Sequence, residues 1–307
     1  MTRLGLIGAG RWGRIYIKTI AELDGVSLAR LASRNPESAR LTPSGCIISS
    51  DWRELIAAGD LDGVIVATPP ALHAEMASAA VAAGLPALVE KPLVLALAEA
   101  MALRDLAHAR RGLVMVDHTH LYHPAFEELK RQAPLLGAIC VVESEAGNHG
   151  PYRADVPVLW DWGPHDVAMC LDLIPGSPLE IHAERQARQK HGNVDAETLR
   201  LELVFATGER ARIRLSNMID KTRRFAVRCD EGTLVYDDLA PHKLVLQRGA
   251  RGAAETPVSV SSEPPLQRVV KAFIAAIASG GDRTSSLDLA VEVTAVLERC
   301  AKALSAG

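Results

Sequence analysis

The run Gly8-Ala9-Gly10-Arg11-Trp12-Gly13 restricts the fold of this chain more than any other feature. It follows the apolar segment Leu4–Ile7 without a gap and leads into an amphipathic stretch, Arg14–Leu23. A strand that runs into G-x-G-x-x-G and then a helix forms the first turn of a dinucleotide-binding fold. Gly8 permits the tight turn, Gly10 lets backbone approach a pyrophosphate, and Gly13 lets helix and strand pack closely. Helix N-terminal amides and the helix dipole then hold the anion, with Arg11 and Trp12 in the same turn. The bland alternative is a glycine-rich turn with no ligand.

The next hundred residues support the first reading. Apolar runs at Ser27–Ala32, Gly63–Ala67, Pro86–Val89 and Leu113–Val116 alternate with helical stretches at Asp51–Ala57, Ala71–Ala82 and Leu95–Ala109. Uniformly apolar strands are expected where helices cover both faces of a parallel sheet. Beyond Pro124 the pattern changes: Leu199–Phe205, Arg210–Leu215 and Phe225–Cys229 alternate apolar with polar residues, which predicts hairpins of a mostly antiparallel sheet. Two helical runs close the chain, Leu266–Ile277 and Leu287–Leu304, separated by the breaker Ser279-Gly280-Gly281-Asp282, and Gly249–Ala254 reads as a surface loop. A length of 307 residues suits two domains, here 1–120 and 121–307. The class is α/β: a Rossmann domain, then a domain built on a mostly antiparallel sheet.

Several functions are disfavoured by composition. Lys plus Arg is 34 against 37 Asp plus Glu, so the basic footprint of a nucleic-acid partner is missing. No apolar run has the length of a membrane span, and the short N-terminal apolar segment reads as the first strand of a cytoplasmic protein rather than a signal peptide. Five cysteines without a C-x-x-C pair fit buried thiols better than a disulfide framework or a zinc site.

The second strand ends Leu31-Ala32-Ser33-Arg34-Asn35, with no acid before Glu37. An acid there would hold the ribose hydroxyls of NAD, whereas Ser33 and Arg34 suit a 2′-phosphate that a guanidinium grips bidentately. This predicts NADP(H) over NAD(H). Alternatively, Ser33 or Asn35 caps a helix beginning at Pro36.

Three later motifs make the picture specific: Ala67-Thr68-Pro69-Pro70-Ala71-Leu72-His73, Glu90-Lys91-Pro92 and Trp160-Asp161-Trp162-Gly163-Pro164-His165-Asp166. Together with Gly8–Gly13 they resemble the Gfo/Idh/MocA family, the glucose–fructose oxidoreductase and inositol dehydrogenase group. The resemblance extends to the Gly232-Thr233-Leu234 turn. It implies a Rossmann domain followed by an α/β domain with a large, mostly antiparallel open sheet, an active site between the domains with the nicotinamide beside Lys91, and a homodimer or homotetramer built through the C-terminal sheet. More narrowly, His118–Pro124 and Leu159–Asp166 resemble members of nucleotide-sugar and surface-polysaccharide pathways, from which Asp117 and His120 depart.

Hydride transfer at a sugar carbinol also moves the hydroxyl proton, which requires a general acid/base beside the reacting carbon. Lys91 is the first candidate, since it ends a parallel strand where open α/β sheets bind ligands. Partial burial and an oxidised nicotinamide would lower its pKa. Glu90 is a cofactor or structural contact, and Pro92 fixes the backbone with a peptide isomer that sequence does not specify. The family's D-x-x-x-H pattern maps onto Asp161 and His165, which share a face on a helix. The resemblance assigns His165 to the reacting oxygen and Asp161 to a substrate hydroxyl; alternatively, Asp161 caps a helix starting near Pro164.

Thr68, Pro69, Pro70 and His73 are expected to wall the cofactor. His118, His120 and Tyr122 are expected to line the substrate end, with Arg153 gripping a phosphate and Trp160 stacking on a sugar. A metal at His118, His120 and His123, completed by His149 or Asp117, is disfavoured because the cofactor supplies the redox chemistry and no familiar zinc spacing occurs. The expected activity is thus an NAD(P)-dependent oxidoreductase acting on a sugar, cyclitol or sugar nucleotide. The alternatives are a silent cofactor-binding regulator of the same fold and an NAD-dependent glycosidase.

Overall fold

The computed structural model describes residues 1–150, 152–249, 254–280 and 283–306. Four residues of the expected Gly249–Ala254 loop and two of the Ser279–Asp282 breaker therefore lie outside the described residues. In chain order the elements begin β1 (Thr2–Ile7), α1 (Arg11–Ala21), β2 (Val26–Ala32), β3 (Ile47–Ser49), α2 (Trp52–Ile56), β4 (Gly63–Val66) and α3 (His73–Ala82). There follow β5 (Ala87–Glu90), α4 (Leu97–Arg110), β6 (Val114–Asp117), α5 (Pro124–Gln132), β7 (Ile139–Gly147) and α6 (Val158–Leu173). The strands β8 (Glu180–His191), β9 (Val194–Val204), β10 (Arg210–Ser216), β11 (Thr222–Cys229), β12 (Gly232–Asp237), β13 (Leu244–Gln247) and β14 (Glu255–Pro257) precede α7 (Pro265–Ser279) and α8 (Ser285–Ala306).

The chain divides into two compact units, Met1–Thr119 with Pro264–Thr294, and His120–Glu263 with Ala295–Gly307. The sequence pattern suggests 121–307 as one unbroken domain; in the structure α7 and the first ten residues of α8, Ser285–Thr294, belong to the first unit. Packing explains the return: the Phe273 ring and Ile277 lie against Gly63 at the start of β4, where a Cβ would come within 2.9 Å of Ile277.

The first unit holds a six-stranded parallel sheet in the order β3-β2-β1-β4-β5-β6. Its strand order reverses between β1 and β4, the switch point beside which such sheets bind ligands. Every residue of β4, β5 and β6 is buried, as expected for strands covered on both faces. The core joins Val64, Val66, Val89, Val114 and Val116 of the sheet to Met76, Ala77, Ala80 and Val81 of α3 and Leu103 of α4. Strand β3 escaped the sequence reading because it is a three-residue edge with Ile47 half exposed, so no apolar periodicity marks it.

The second unit holds an eight-stranded sheet in the order β14-β13-β12-β11-β7-β10-β9-β8. All its pairings are antiparallel except β7 with β10. Alternation is plain in β10, where Ala211, Ile213 and Leu215 are buried and Arg210, Arg212 and Arg214 exposed. Helix α6 covers the apolar face. The other face carries charge pairs, Arg210 and Arg212 with Glu202 and Arg214 with Glu145. Ala226, Val235 and Val245 form a small apolar cluster in the register row of Glu143 and Arg212.

Three cysteines are buried, whereas Cys140 is exposed and Cys46 partly so; none forms a disulfide. Among the described residues no helix is long and apolar enough to cross a membrane.

Candidate active site

The glycine turn divides its duties as the spacing predicts. Gly8 adopts φ +99°, and a Cβ there would sit 2.6 Å from the Ala67 carbonyl oxygen at the end of β4. At Gly13 a Cβ would sit 2.1 Å from the Gly8 carbonyl oxygen. These two glycines therefore let turn, strand and helix close on one another. Gly10 differs: it is exposed and a Cβ would meet nothing within 4 Å. It fronts open space at the start of α1, whose first turn has neither a capping side chain nor an acid. Amides so placed fit the pyrophosphate of a dinucleotide. Arg11 is exposed in this turn and Trp12 half-buried.

At the end of β2, Asn35 takes the cap of the short 3-10 turn Pro36–Leu41 by accepting a hydrogen bond from the Glu37 amide at 3.0 Å. The Ser33 hydroxyl lies 2.8 Å from that of Ser38 and accepts from the Asn35 amide. Glu37, the nearest acid, is paired with Arg40 at 2.6 Å. Arg34 is exposed and makes no ion pair among the described residues.

The loops after β4 and β5 are tied together by His73. Its ring nitrogens stand 2.8 Å from the Thr68 carbonyl and 2.9 Å from that of Pro92, and the side chain is fully buried. Burial pushes its pKa down against the pull of the two carbonyls. His73 thus braces the Glu90-Lys91-Pro92 turn from inside, a role not evident from its place in the sequence. Thr68 donates to the Met76 sulfur, Pro69 is exposed and Pro70 buried. The Lys91–Pro92 peptide is cis.

Lys91 is half-buried at the end of β5 beside a cluster of buried polar groups. Glu90 lies opposite Asp117 in the β5–β6 register, and the two are 4% and 0% exposed. Asp117 accepts hydrogen bonds from the Tyr16 hydroxyl of α1 and, at 2.6 Å, from the Thr119 hydroxyl. Burial, and then the Asp117 charge, hold the Glu90 carboxyl well above the ordinary carboxylate range. Burial also raises Asp117 and Tyr16. His118, equally buried, is pushed down to about 4 by burial and by the Lys91 charge, so it is neutral at neutral pH.

The second unit brings together another set. Asp161 and His165 both lie within α6, which starts six residues ahead of Pro164 at Val158 rather than near that proline. Pro157 occupies the cap position, so capping is not the task of Asp161. His165 is 8% exposed, and its ring meets that of His120 edge-on at 4.8 Å. The His120 Nδ1 is 2.9 Å from the Tyr236 hydroxyl of β12, and Tyr236 packs 4.8 Å from the His123 ring. Burial raises the Tyr236 phenol far above its usual range. His123 caps α5 by accepting from the Ala125 amide and faces Asp238 at 3.3 Å. Tyr122 is half-buried in the short turn Thr119–Tyr122.

Arg153 is held from two sides, by Asp155 through two bonds of 3.1 and 2.7 Å and by Asp161 at 3.1 Å. The Arg153 guanidinium lowers the Asp155 pKa. Arg153 and Asp161 border an open cleft together with Trp162, Asp195 and Asn217. Trp160 is buried. Among the described residues no three His, Cys, Asp or Glu side chains stand together as metal ligands.

Three polar residues of these clusters were not singled out as site residues from the sequence. Tyr16 and Asp117 meet across 101 positions, and Tyr236 meets His120 across 116. Asp117 alone carried a local signal, an acid ending a wholly apolar strand.

A six-stranded doubly wound sheet with a pyrophosphate-fitting turn, joined to a sheet unit that presents an Asp–His pair on one helix, defines a nicotinamide-dependent oxidoreductase. Residues 2–118 match the oxidoreductase family with the NAD-binding Rossmann fold, Gfo/Idh/MocA. A solved structure from Magnetospirillum magnetotacticum MS-1, named a putative oxidoreductase, is 47% identical, covers 97% of this chain and 99% of its own, and superposes with a TM-score of 0.93. The UDP-N-acetylglucosamine 3-dehydrogenase GnnA of Acidithiobacillus ferrooxidans is 25% identical over 99% of this chain and 98% of its own, with a TM-score of 0.86. The 4-carboxy-2-hydroxymuconate-6-semialdehyde dehydrogenase of Sphingobium sp. is 28% identical over 96% of each chain. The chain belongs to the Gfo/Idh/MocA family of oxidoreductases.

Proposed function

We propose that this enzyme moves a hydride between NADP(H) and a hydroxyl or keto carbon of a sugar, cyclitol or sugar nucleotide. The observation that carries the reading is Lys91, an amine at the C-terminal end of a Rossmann strand beside buried acids. The bound nicotinamide supplies the hydride acceptor or donor. Lys91 takes the hydroxyl proton as the carbinol is oxidised and returns it in reduction. His165, held against His120, donates a hydrogen bond to the reacting oxygen, and Asp161 accepts one from a neighbouring hydroxyl while Arg153 orients it. The GnnA name and the family resemblance support a carbohydrate substrate.

NADP(H) is favoured over NAD(H) because the acid nearest the end of β2 is already paired with Arg40, whereas Arg34 has no acid partner among the described residues. The charged outer face of the second sheet, with Ala226, Val235 and Val245 at its apolar centre, is proposed as the surface of a homodimer or homotetramer.

The test is turnover of a panel of sugars, inositols and nucleotide sugars with NADPH and with NADH. Lys91→Ala is expected to lose at least about a hundredfold in kcat while still binding cofactor. Arg34→Ala is expected to lose its NADPH preference. Wild-type turnover by the first variant, or an NADH preference present before and after the second substitution, refutes the corresponding assignment.

A further inference from the structure

The Glu90–Asp117 pair is not accounted for by hydride transfer. Two carboxyl groups lie side by side in the register of adjacent parallel strands, both more than nine-tenths buried, at the strand ends that present Lys91. Their hydrogen bonding is unequal. Asp117 receives two hydroxyl donors, from Tyr16 and Thr119, which suits an ionised carboxylate. Glu90 accepts the Lys91 backbone amide at 3.2 Å through Oε2 and stands near the Tyr16 hydroxyl, whose proton goes to Asp117, while its Oε1 is buried with no hydrogen-bond partner. A buried carboxylate oxygen without a donor is costly, and the cost falls when that oxygen carries the proton. Two like charges this close also resist joint ionisation.

We propose that Glu90 and Asp117 keep one proton between them and so present a single negative charge to Lys91, which makes both of them positioning residues for the lysine. This rests on the reading of Lys91 as the acid/base. The groups that meet the pair are Tyr16 from α1, Lys91 after β5 and Thr119 after β6, and the buried His118 meets the Lys91 charge. Tyr16 and His118 are neutral at neutral pH, the first because burial raises it and the second because burial lowers it. The charge these neighbours present to Lys91 is then that of the pair. Two full negative charges would hold the ammonium too firmly for it to release a proton, and none would leave its burial uncompensated.

A consequence is redundancy. If Asp117 becomes Asn, Glu90 loses its like-charged neighbour and ionises against the Lys91 ammonium that remains beside it; if Glu90 becomes Gln, Asp117 stays ionised on its two hydroxyls. Either way one charge remains.

The experiment titrates Lys91 by NMR in the full chain labelled with ε-13C lysine and without added cofactor, the signal being assigned by its absence from Lys91→Met. Glu90→Gln and Asp117→Asn are expected to move the Lys91 midpoint by less than about half a unit each, and the double variant to lower it by at least about one unit. The pH profile of kcat should follow the same order. A single substitution that moves the midpoint as far as the double, or a double that leaves it in place, overturns the proposal. Should a variant fail to fold, the infrared spectrum of the wild type decides: a protonated-carboxyl band at neutral pH is expected, and its absence refutes the shared proton. Because the titration needs no turnover, full activity in Lys91→Ala would remove the functional reading while leaving the charge arrangement to be judged by itself.

Discussion

The ion pair between Arg223 of β11 and Asp166 of α6 offers a sharp quantitative test, because Asp166 directly follows His165. Arg223 Nη1 donates to Asp166 Oδ2 at 2.8 Å, the Ser144 hydroxyl donates to Oδ1, and the two charged side chains are 9% and 2% exposed. In Arg223→Met the carboxylate remains buried without its counter-charge. Breaking a buried pair from one side costs about 3–5 kcal/mol. The Ser144 hydroxyl still donates to Oδ1 in the variant, so what is lost is the counter-charge itself. Urea unfolding of wild type and variant at pH 7 reads the difference directly, and a gap of about 3–5 kcal/mol is expected. Adding Asp166→Asn should recover much of the loss, because the neutral side chain needs no counter-charge. A gap below about 1 kcal/mol, or one that Asp166→Asn leaves in place, refutes the view that Asp166 is a buried structural anion.

Two further outcomes follow from the first unit. His118 has a folded pKa of about 4 against the ordinary 6.5, so its contribution is present above pH 6.5 and lost as pH falls toward 4. The stability advantage of wild type over His118→Gln should therefore shrink by about 3 kcal/mol across that window, and a flat difference in denaturant titrations would show that the imidazole titrates normally. Gly13→Ala places a Cβ 2.1 Å from the Gly8 carbonyl and should cost about 1–3 kcal/mol in thermal or urea unfolding, whereas Gly10→Ala meets nothing within 4 Å and should leave stability within about 0.5 kcal/mol. Fluorescence titration should find NADPH binding by Gly10→Ala weakened; unchanged affinity would remove Gly10 from the cofactor cradle.

The first unit was legible wherever one local rule decides. β1, β2, β4, β5 and β6 announce themselves as apolar runs because both faces are covered, and the glycine turn because only glycine tolerates the contacts at Gly8 and Gly13. The edge strand β3 and the return of α7 to β4 were not legible: the first lacks periodicity, and the second is a tertiary choice made by Phe273 and Ile277. In the site, the Asp161–His165 spacing marks a shared helix face, and both residues do lie within α6; the alternative, a helix starting near Pro164, is not the one that forms. Pro164 reads as a starting signal, yet it sits inside α6, where Gly163 packs on Leu297 and Leu215. Several candidates also exchange an outward role for an inward one. His73, on the first turn of a helix, and His118, just past a strand end, read as ligand contacts; the structure buries both, His73 against two carbonyls and His118 within reach of the Lys91 charge.

Charge supplies the remaining link between composition and chemistry. The net charge of −3 says little about an anionic ligand, since what matters is which cations are already engaged. On the second unit's sheet the arginines are largely answered: Arg210 and Arg212 by Glu202, Arg214 by Glu145, Arg200 by Glu184, Arg188 by Asp195. Arg153, expected to grip a phosphate, is likewise held by Asp155 and Asp161. Such exposed pairs add little stability, yet each acid removes a guanidinium from competition for a phosphate. Arg11 in the glycine turn and Arg34 at the end of β2 make no ion pair among the described residues, and both belong to the unit that matches the NAD-binding family. On the proposed reading, a dinucleotide phosphate would find unengaged counter-charges at those two positions. A slightly acidic chain can thus bind a polyanionic cofactor tightly without binding polyanions in general.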